Sequence, residues 1–126
     1  MKTAELNGAA LDWAVAKCEG ELDQADHYLH ESTGAFMLEQ GEVSVLYSPS
    51  TTWNQGGPII EREIFKLFRN VGGTLTAQAK YRTEDGTVSG QVSWYSGSGP
   101  TLLIAAMRCY VASKLGDEVE LPEDLK

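Results

Sequence analysis

The chain has 126 residues and a formal charge of −8 at pH 7. That length suits one domain with a core of its own. The acidic balance excludes non-specific nucleic-acid binding and attraction to an anionic membrane, since both need a basic footprint; it is still compatible with a local pocket for a small anion.

Met1-Lys2-Thr3-Ala4-Glu5-Leu6 lacks the apolar core of a secretory signal, and no run of about 18 apolar residues follows that would span a membrane. A cytosolic protein is expected. Leu6-Asn7-Gly8-Ala9-Ala10-Leu11 reads as a helix start, with Asn7 as N-cap and Leu6 stapled to Leu11. The helix is expected over residues 9–19, stopped by Gly20. Asp12 alone interrupts its apolar centre, so the helix should be buried.

Residues 21–34 are polar and without period, which predicts a surface excursion with at most a helical turn. His27 and His30 stand three apart there, a spacing that puts two ligands on one helix face. No third His exists and no nearby Cys completes the usual ligand count, so solvated histidines and no metal are expected. Phe36-Met37-Leu38 and residues 43–47 read as strands, the second with period-2 alternation.

The segment Ser48-Pro49-Ser50-Thr51-Thr52-Trp53-Asn54-Gln55-Gly56-Gly57 reads as a loop. Gly57-Pro58 should then open a second helix, because proline suits the first helical position. Ile60, Ile64, Leu67 and Phe68 give it an apolar face, Glu61 and Glu63 lie in its first turn, and Gly72-Gly73 ends it. Residues 75–82 and 87–95 flank Glu84-Asp85-Gly86, a hairpin signal, with Leu75, Ala77, Ala79 and Tyr81 facing the core. Ser96-Gly97-Ser98-Gly99-Pro100 reads as a turn into a third helix, apolar except for Arg108 and ended by Gly116. That helix should lie against the sheet. Residues 117–126 read as a mobile acidic tail. Cys18 and Cys109 fall inside the apolar helices and read as buried free thiols. The expected fold is a single α+β domain, a small antiparallel sheet packed against two to three helices.

Long stretches of this chain carry a resemblance. Asn7-Gly8-Ala9-Ala10-Leu11-Asp12-Trp13, Tyr47-Ser48-Pro49-Ser50-Thr51-Thr52-Trp53, Gln55-Gly56-Gly57-Pro58-Ile59-Ile60-Glu61-Arg62 and Gly99-Pro100-Thr101-Leu102-Leu103-Ile104 with its continuation to Val119 are similar to the NinX-like family of small proteins from tailed phages and prophages of enteric bacteria. The resemblance implies a phage origin, expression in the cytoplasm of the infected bacterium and an accessory role in infection. It implies no activity and no catalytic residues.

The residues themselves leave two readings of the 48–62 segment. In the first it holds a small nucleotide-like ligand: Ser48, Ser50 and Thr51 donate hydroxyls, Trp53 stacks on a base, and Asn54 and Gln55 read a polar edge. Gly56 and Gly57 let the backbone approach, and Arg62 supplies charge. In the second it is a structural loop whose hydroxyls cap turns and whose Trp53 plugs the core. It lacks the phosphate-binding G-x-x-x-x-G-K-[ST] pattern. Asp12 and Arg108 are each the single charge inside an apolar helical run, so a buried pair is expected, between the two of them or between Arg108 and Glu61. No nucleophile elbow, H-E-x-x-H or low-pKa cysteine setting is present, so no enzyme and no cofactor are expected. The expected function is non-enzymatic binding of a nucleotide-like ligand, sequestering a host defence signal. The other class of reading is an acidic inhibitor or adaptor of a basic host protein. A homo-oligomer is compatible with either.

Overall fold

A computed structural model describes residues 1–64, 66–80 and 94–126. Its first helix, α1 (Gly8–Glu19), follows the sequence closely. Leu11, Asp12, Trp13, Ala14, Val15 and Ala16 are all buried, and the left-handed Gly20 (φ 77°) closes the end with its N–H on Ala16 and Lys17. Asn7 occupies the N-cap position with an extended backbone, but its side chain makes no capping bond.

After a 3-10 turn at Glu21–Asp23, three short strands form an antiparallel sheet in the order β1 (Asp26–Leu29), β2 (Phe36–Gln40), β3 (Val43–Leu46). The excursion expected at residues 21–34 thus contains an edge strand. Gly41 takes φ 65° in the two-residue turn between Gln40 and Val43. A positive φ at the first central position is what a type II′ hairpin turn needs. Phe36 and Leu38 face the core, whereas every residue of β3 is exposed.

The second helix departs from expectation at both ends. α2 spans Trp53–Glu63, so Pro58 lies inside it rather than at its start. The chain turns earlier: the Thr51 and Thr52 N–H groups both donate to the Ser48 carbonyl, and the Gly56 N–H to Thr52. Pro58 then removes the bond that the Asn54 carbonyl would accept, and Asn54 lies at the surface. The helix ends at Ile64, whose backbone is extended. Leu67 and Phe68 belong to a strand, β4 (Lys66–Arg69), which pairs with β5 (Leu75–Lys80). Four residues are too few for period 2 to show against a helical i, i+4 pattern, and pairing decides. Glu61 and Glu63 accordingly fall in the last turn of α2, not the first.

β5 pairs in turn with β6 (Trp94–Gly99) to complete a second antiparallel sheet, β4-β5-β6. The hairpin turn expected at Glu84-Asp85-Gly86, and Tyr81, lie outside the described residues. Leu75, Ala77 and Ala79 are buried as expected. Ser96-Gly97-Ser98-Gly99 is strand rather than turn. Its glycines serve close packing: a Cβ on Gly97 would lie 2.4 Å from the Cys109 backbone nitrogen and 2.5 Å from the Ala105 carbonyl oxygen. Removing two side chains lets the strand lie on the backbone of the last helix.

That helix, α3 (Leu102–Leu115), is the centre of the fold. Thr101 caps it by accepting from the Ile104 N–H at 3.1 Å. Leu103, Ala105, Ala106, Met107, Cys109, Tyr110, Val111 and Ala112 are buried against both other helices and the second sheet. The fold is α+β, with two small sheets where one was expected. The acidic tail is docked: Lys2 and Glu118 form a bridge, the Met1 ammonium donates to Val119, and Val119 and Leu121 are buried. Its alternating Val119 and Leu121 supply the apolar anchor that its acidic composition conceals.

Candidate functional site

The 48–62 segment divides into an inner set of residues that lock it and an outer set that faces solvent. Gln55 is the main lock. Its Oε1 accepts from the Ser48 N–H at 2.6 Å and its Nε2 donates to the Leu46 carbonyl at 2.8 Å, tying α2 back onto the end of β3. The Ser48 and Thr52 hydroxyls bond to each other at 2.7 Å. Ser50 is buried, and its N–H donates to Asp12 Oδ1 at 2.9 Å. Gly56 is buried too; a Cβ there would come 2.4 Å from the Pro49 carbonyl oxygen and 2.5 Å from Leu103 Cδ2. Ser48, Ser50, Gln55 and Gly56 therefore hold the loop together.

Thr51, Trp53 and Asn54 form the outer set. Trp53 is 55% exposed at the first position of α2, so it does not plug the core. Thr52 offers no side-chain cap to this helix start. Gly57 sits behind the indole, where a Cβ would lie 3.8 Å from Trp53 Cε3. Beside this end of α2, joined to it through Gln55, runs β3 with Val43, Val45 and Leu46 exposed.

Arg62 lies away from that end, in the last turn of α2. Its Nη2 donates to Glu19 Oε2 at 2.6 Å and lies 3.4 Å from the Tyr110 hydroxyl, which itself donates to Glu19 Oε2 at 2.6 Å. Glu63 approaches both Arg62 and Lys114. This network ties the three helices together. Burial, reinforced by the neighbouring Glu19, pushes the Tyr110 phenol well above its ordinary range.

The buried ion pair expected between Asp12 and Arg108 does not form. Asp12 faces the 48–50 turn, whereas Arg108 Nε donates to the Leu6 carbonyl at 2.7 Å and Nη1 to the Ser98 carbonyl at 2.8 Å. The two side chains leave their helices toward different neighbours, and each bonds to backbone groups. Burial raises the Asp12 carboxyl to about 6, against the lowering effect of Ser50. Burial also raises Cys18 to about 12 and Cys109 to about 11, so both thiols are held protonated.

His27 and His30 do not share a helix face. His27 stacks on Phe36 from within β1, with Nε2 3.3 Å from Asp124, and His30 Nδ1 accepts from the Ser32 N–H beyond the strand. Among the described residues no group of three His, Cys, Asp or Glu is placed to hold a metal, and no helix is long and apolar enough to cross a membrane.

Two surfaces escaped the sequence reading. One is exposed β3, whose Val-x-Val alternation predicts one covered face that the fold leaves open. The other is a cleft of roughly 680 Å³ between β6 and the paired termini, lined in part by Lys2, Ser96, Ser98, Arg108, Asp117 and Glu118. The Ser-Gly alternation was its only signal, and that pattern also suits a turn.

These features define a small acidic α+β protein with an exposed tryptophan at one helix start, above a hydrogen-bonded turn. A family model described as "Bacteriophage P22, NinX" matches residues 2–114. The chain belongs to this family of phage proteins. None of the curated proteins compared with it matches.

Proposed function

We propose that this phage protein is a non-enzymatic accessory factor that holds a small nucleotide-like ligand at the Trp53 end of α2, withdrawing a host defence signal. The observation that carries the reading is the exposed Trp53, set on a helix start whose underlying turn is locked by Gln55, Ser48 and Asp12. An exposed indole on a locked turn offers a base a stacking face, and such stacking contributes about 1–3 kcal/mol per base. Asn54 and Thr51 add exposed polar side chains, and the first N–H groups of α2 favour an anion. Arg62 has no part in this form of the reading, because it is engaged with Glu19.

Exposed β3 favours a second reading, a protein partner. Val43, Val45 and Leu46 lie between exposed Glu39 and Glu42 in sequence and the Trp53 helix start, a surface suited to an apolar strand with basic neighbours. A basic host protein or a second copy of the chain would each cover it.

Calorimetric titration with nucleotides and cyclic nucleotides tests the ligand reading. It predicts saturable binding that Trp53→Ala abolishes while the variant remains folded. Binding by Trp53→Ala as tight as by the parent would remove it. Light scattering after size exclusion tests for a second copy.

A further inference from the structure

The cleft beside β6 shares no residue with the 48–62 segment. One wall is β6, which among the described residues pairs with β5. The opposite wall is the ribbon made by the chain ends, where the Thr3 N–H donates to Asp117 and the Val119 N–H to Met1. The Thr3 hydroxyl fixes that ribbon by donating to the Gly116 carbonyl at 2.6 Å. Both walls are therefore built from hydrogen-bonded backbone.

Arg108 is the group that needs explaining. Its guanidinium is half-buried, and its partners are two neutral carbonyls, those of Leu6 and Ser98. Among the described residues it forms no ion pair, although Asp117 and Glu118 line the same cleft. A guanidinium carries five N–H donors, so two bonds leave most of them unused. Gly99 makes its position available: a Cβ there would stand 3.3 Å from Arg108 Nη1. Lys2 also lines the cleft, and among the described residues it too forms no ion pair. The lining thus mixes two cations with two carboxylates, Lys2 standing opposite Glu118 in the terminal ribbon, beside Ser96 and Ser98, whose hydroxyl is shared with Thr76.

A simple anion would meet the repulsion of Asp117 and Glu118, and a simple cation that of Lys2 and Arg108. We propose that this cleft binds a small molecule that carries both an oxyanion and hydroxyl or ammonium donors. Arg108 and Lys2 take the oxyanion, and Asp117 and Glu118 accept from the donors. The volume, roughly 680 Å³, falls in the range of small-molecule sites. A sugar phosphate and a free amino acid both have this chemistry.

Calorimetry with ribose 5-phosphate, a nucleoside monophosphate and a panel of free amino acids distinguishes the sources. Inorganic phosphate and ribose alone serve as half-ligands. The expected result is saturable binding of one arm, with either half-ligand at least about tenfold weaker, the scale of one lost charge-assisted bond. Lys2→Met and Glu118→Gln, both at exposed positions, should each weaken binding by about the same factor, and Arg108→Met should abolish it. If Arg108→Met does not fold, the two exposed variants decide. Trp53→Ala should leave this binding unchanged, which separates the cleft from the stacking surface. Absence of binding in every arm at millimolar ligand overturns the proposal. So does binding that Lys2→Met and Glu118→Gln leave intact, or that Trp53→Ala removes.

Discussion

Replacing Asp12 with asparagine should stabilise the protein at neutral pH, and that gain should vanish in acid. Asp12 is only 5% exposed, and burial lifts its carboxyl from an ordinary 3.8 to about 6. A group with a raised folded-state pKa binds its proton more tightly in the folded chain. Between about pH 4 and 6 the folded state therefore holds more protons, and this group's contribution to stability declines as pH rises through that window. Above it the full penalty is present, roughly 3 kcal/mol at about 1.4 kcal/mol per pH unit. The substituted side chain would keep an acceptor for the Ser50 N–H, now bonded at 2.9 Å, and would carry no charge. Its amide still needs a partner, so the expected gain at pH 7.5 is about 1–3 kcal/mol. Urea melts of parent and Asp12→Asn at pH 4, 5, 6 and 7.5 measure it, and other carboxylates cancel in the difference between the two proteins. A variant less stable than the parent by the same amount at every pH would refute the reasoning, because the Ser50 bond would then outweigh burial.

Other substitutions probe the packing and the caps. Gly97→Ala should destabilise by about 1–3 kcal/mol or more, since its Cβ meets the α3 backbone rather than a movable side chain; urea denaturation reads this directly. Thr101→Ala removes the hydroxyl that accepts from Ile104 and should cost about 1 kcal/mol in the same assay. Glu19→Gln weakens the partner of Arg62, whose side chain is half exposed, so the cost to thermal stability should stay below about 1 kcal/mol.

The sequence disclosed the elements whose signals are local. Gly20 ended α1, Gly116 ended α3, and the apolar runs of both helices marked them as buried. The 48–62 segment was legible as a unit but not in its division of labour. Which of its polar residues turn inward depends on Leu46, Asp12 and Leu103, distant partners that composition does not reveal. Pro58 misplaced the start of α2 because its preference for a first helical position competed with a turn already begun at Ser48. Lys66-Leu67-Phe68-Arg69 was misread because pairing with β5, a non-local term, overrode an apparent helical face. The Asp12–Arg108 pair failed for a related reason: sequence can show that a charge is buried among apolar residues, but not that a backbone carbonyl or N–H is waiting for it.

The most direct test of the functional account is titration of the intact protein with nucleotides and cyclic nucleotides by calorimetry, with Trp53→Ala in parallel. The exposed position of Trp53 predicts that its loss changes stability by no more than about 0.5 kcal/mol. The account predicts saturable binding by the parent and none by the equally stable variant. No binding by the parent across the panel at millimolar ligand, or undiminished binding by Trp53→Ala, would contradict it.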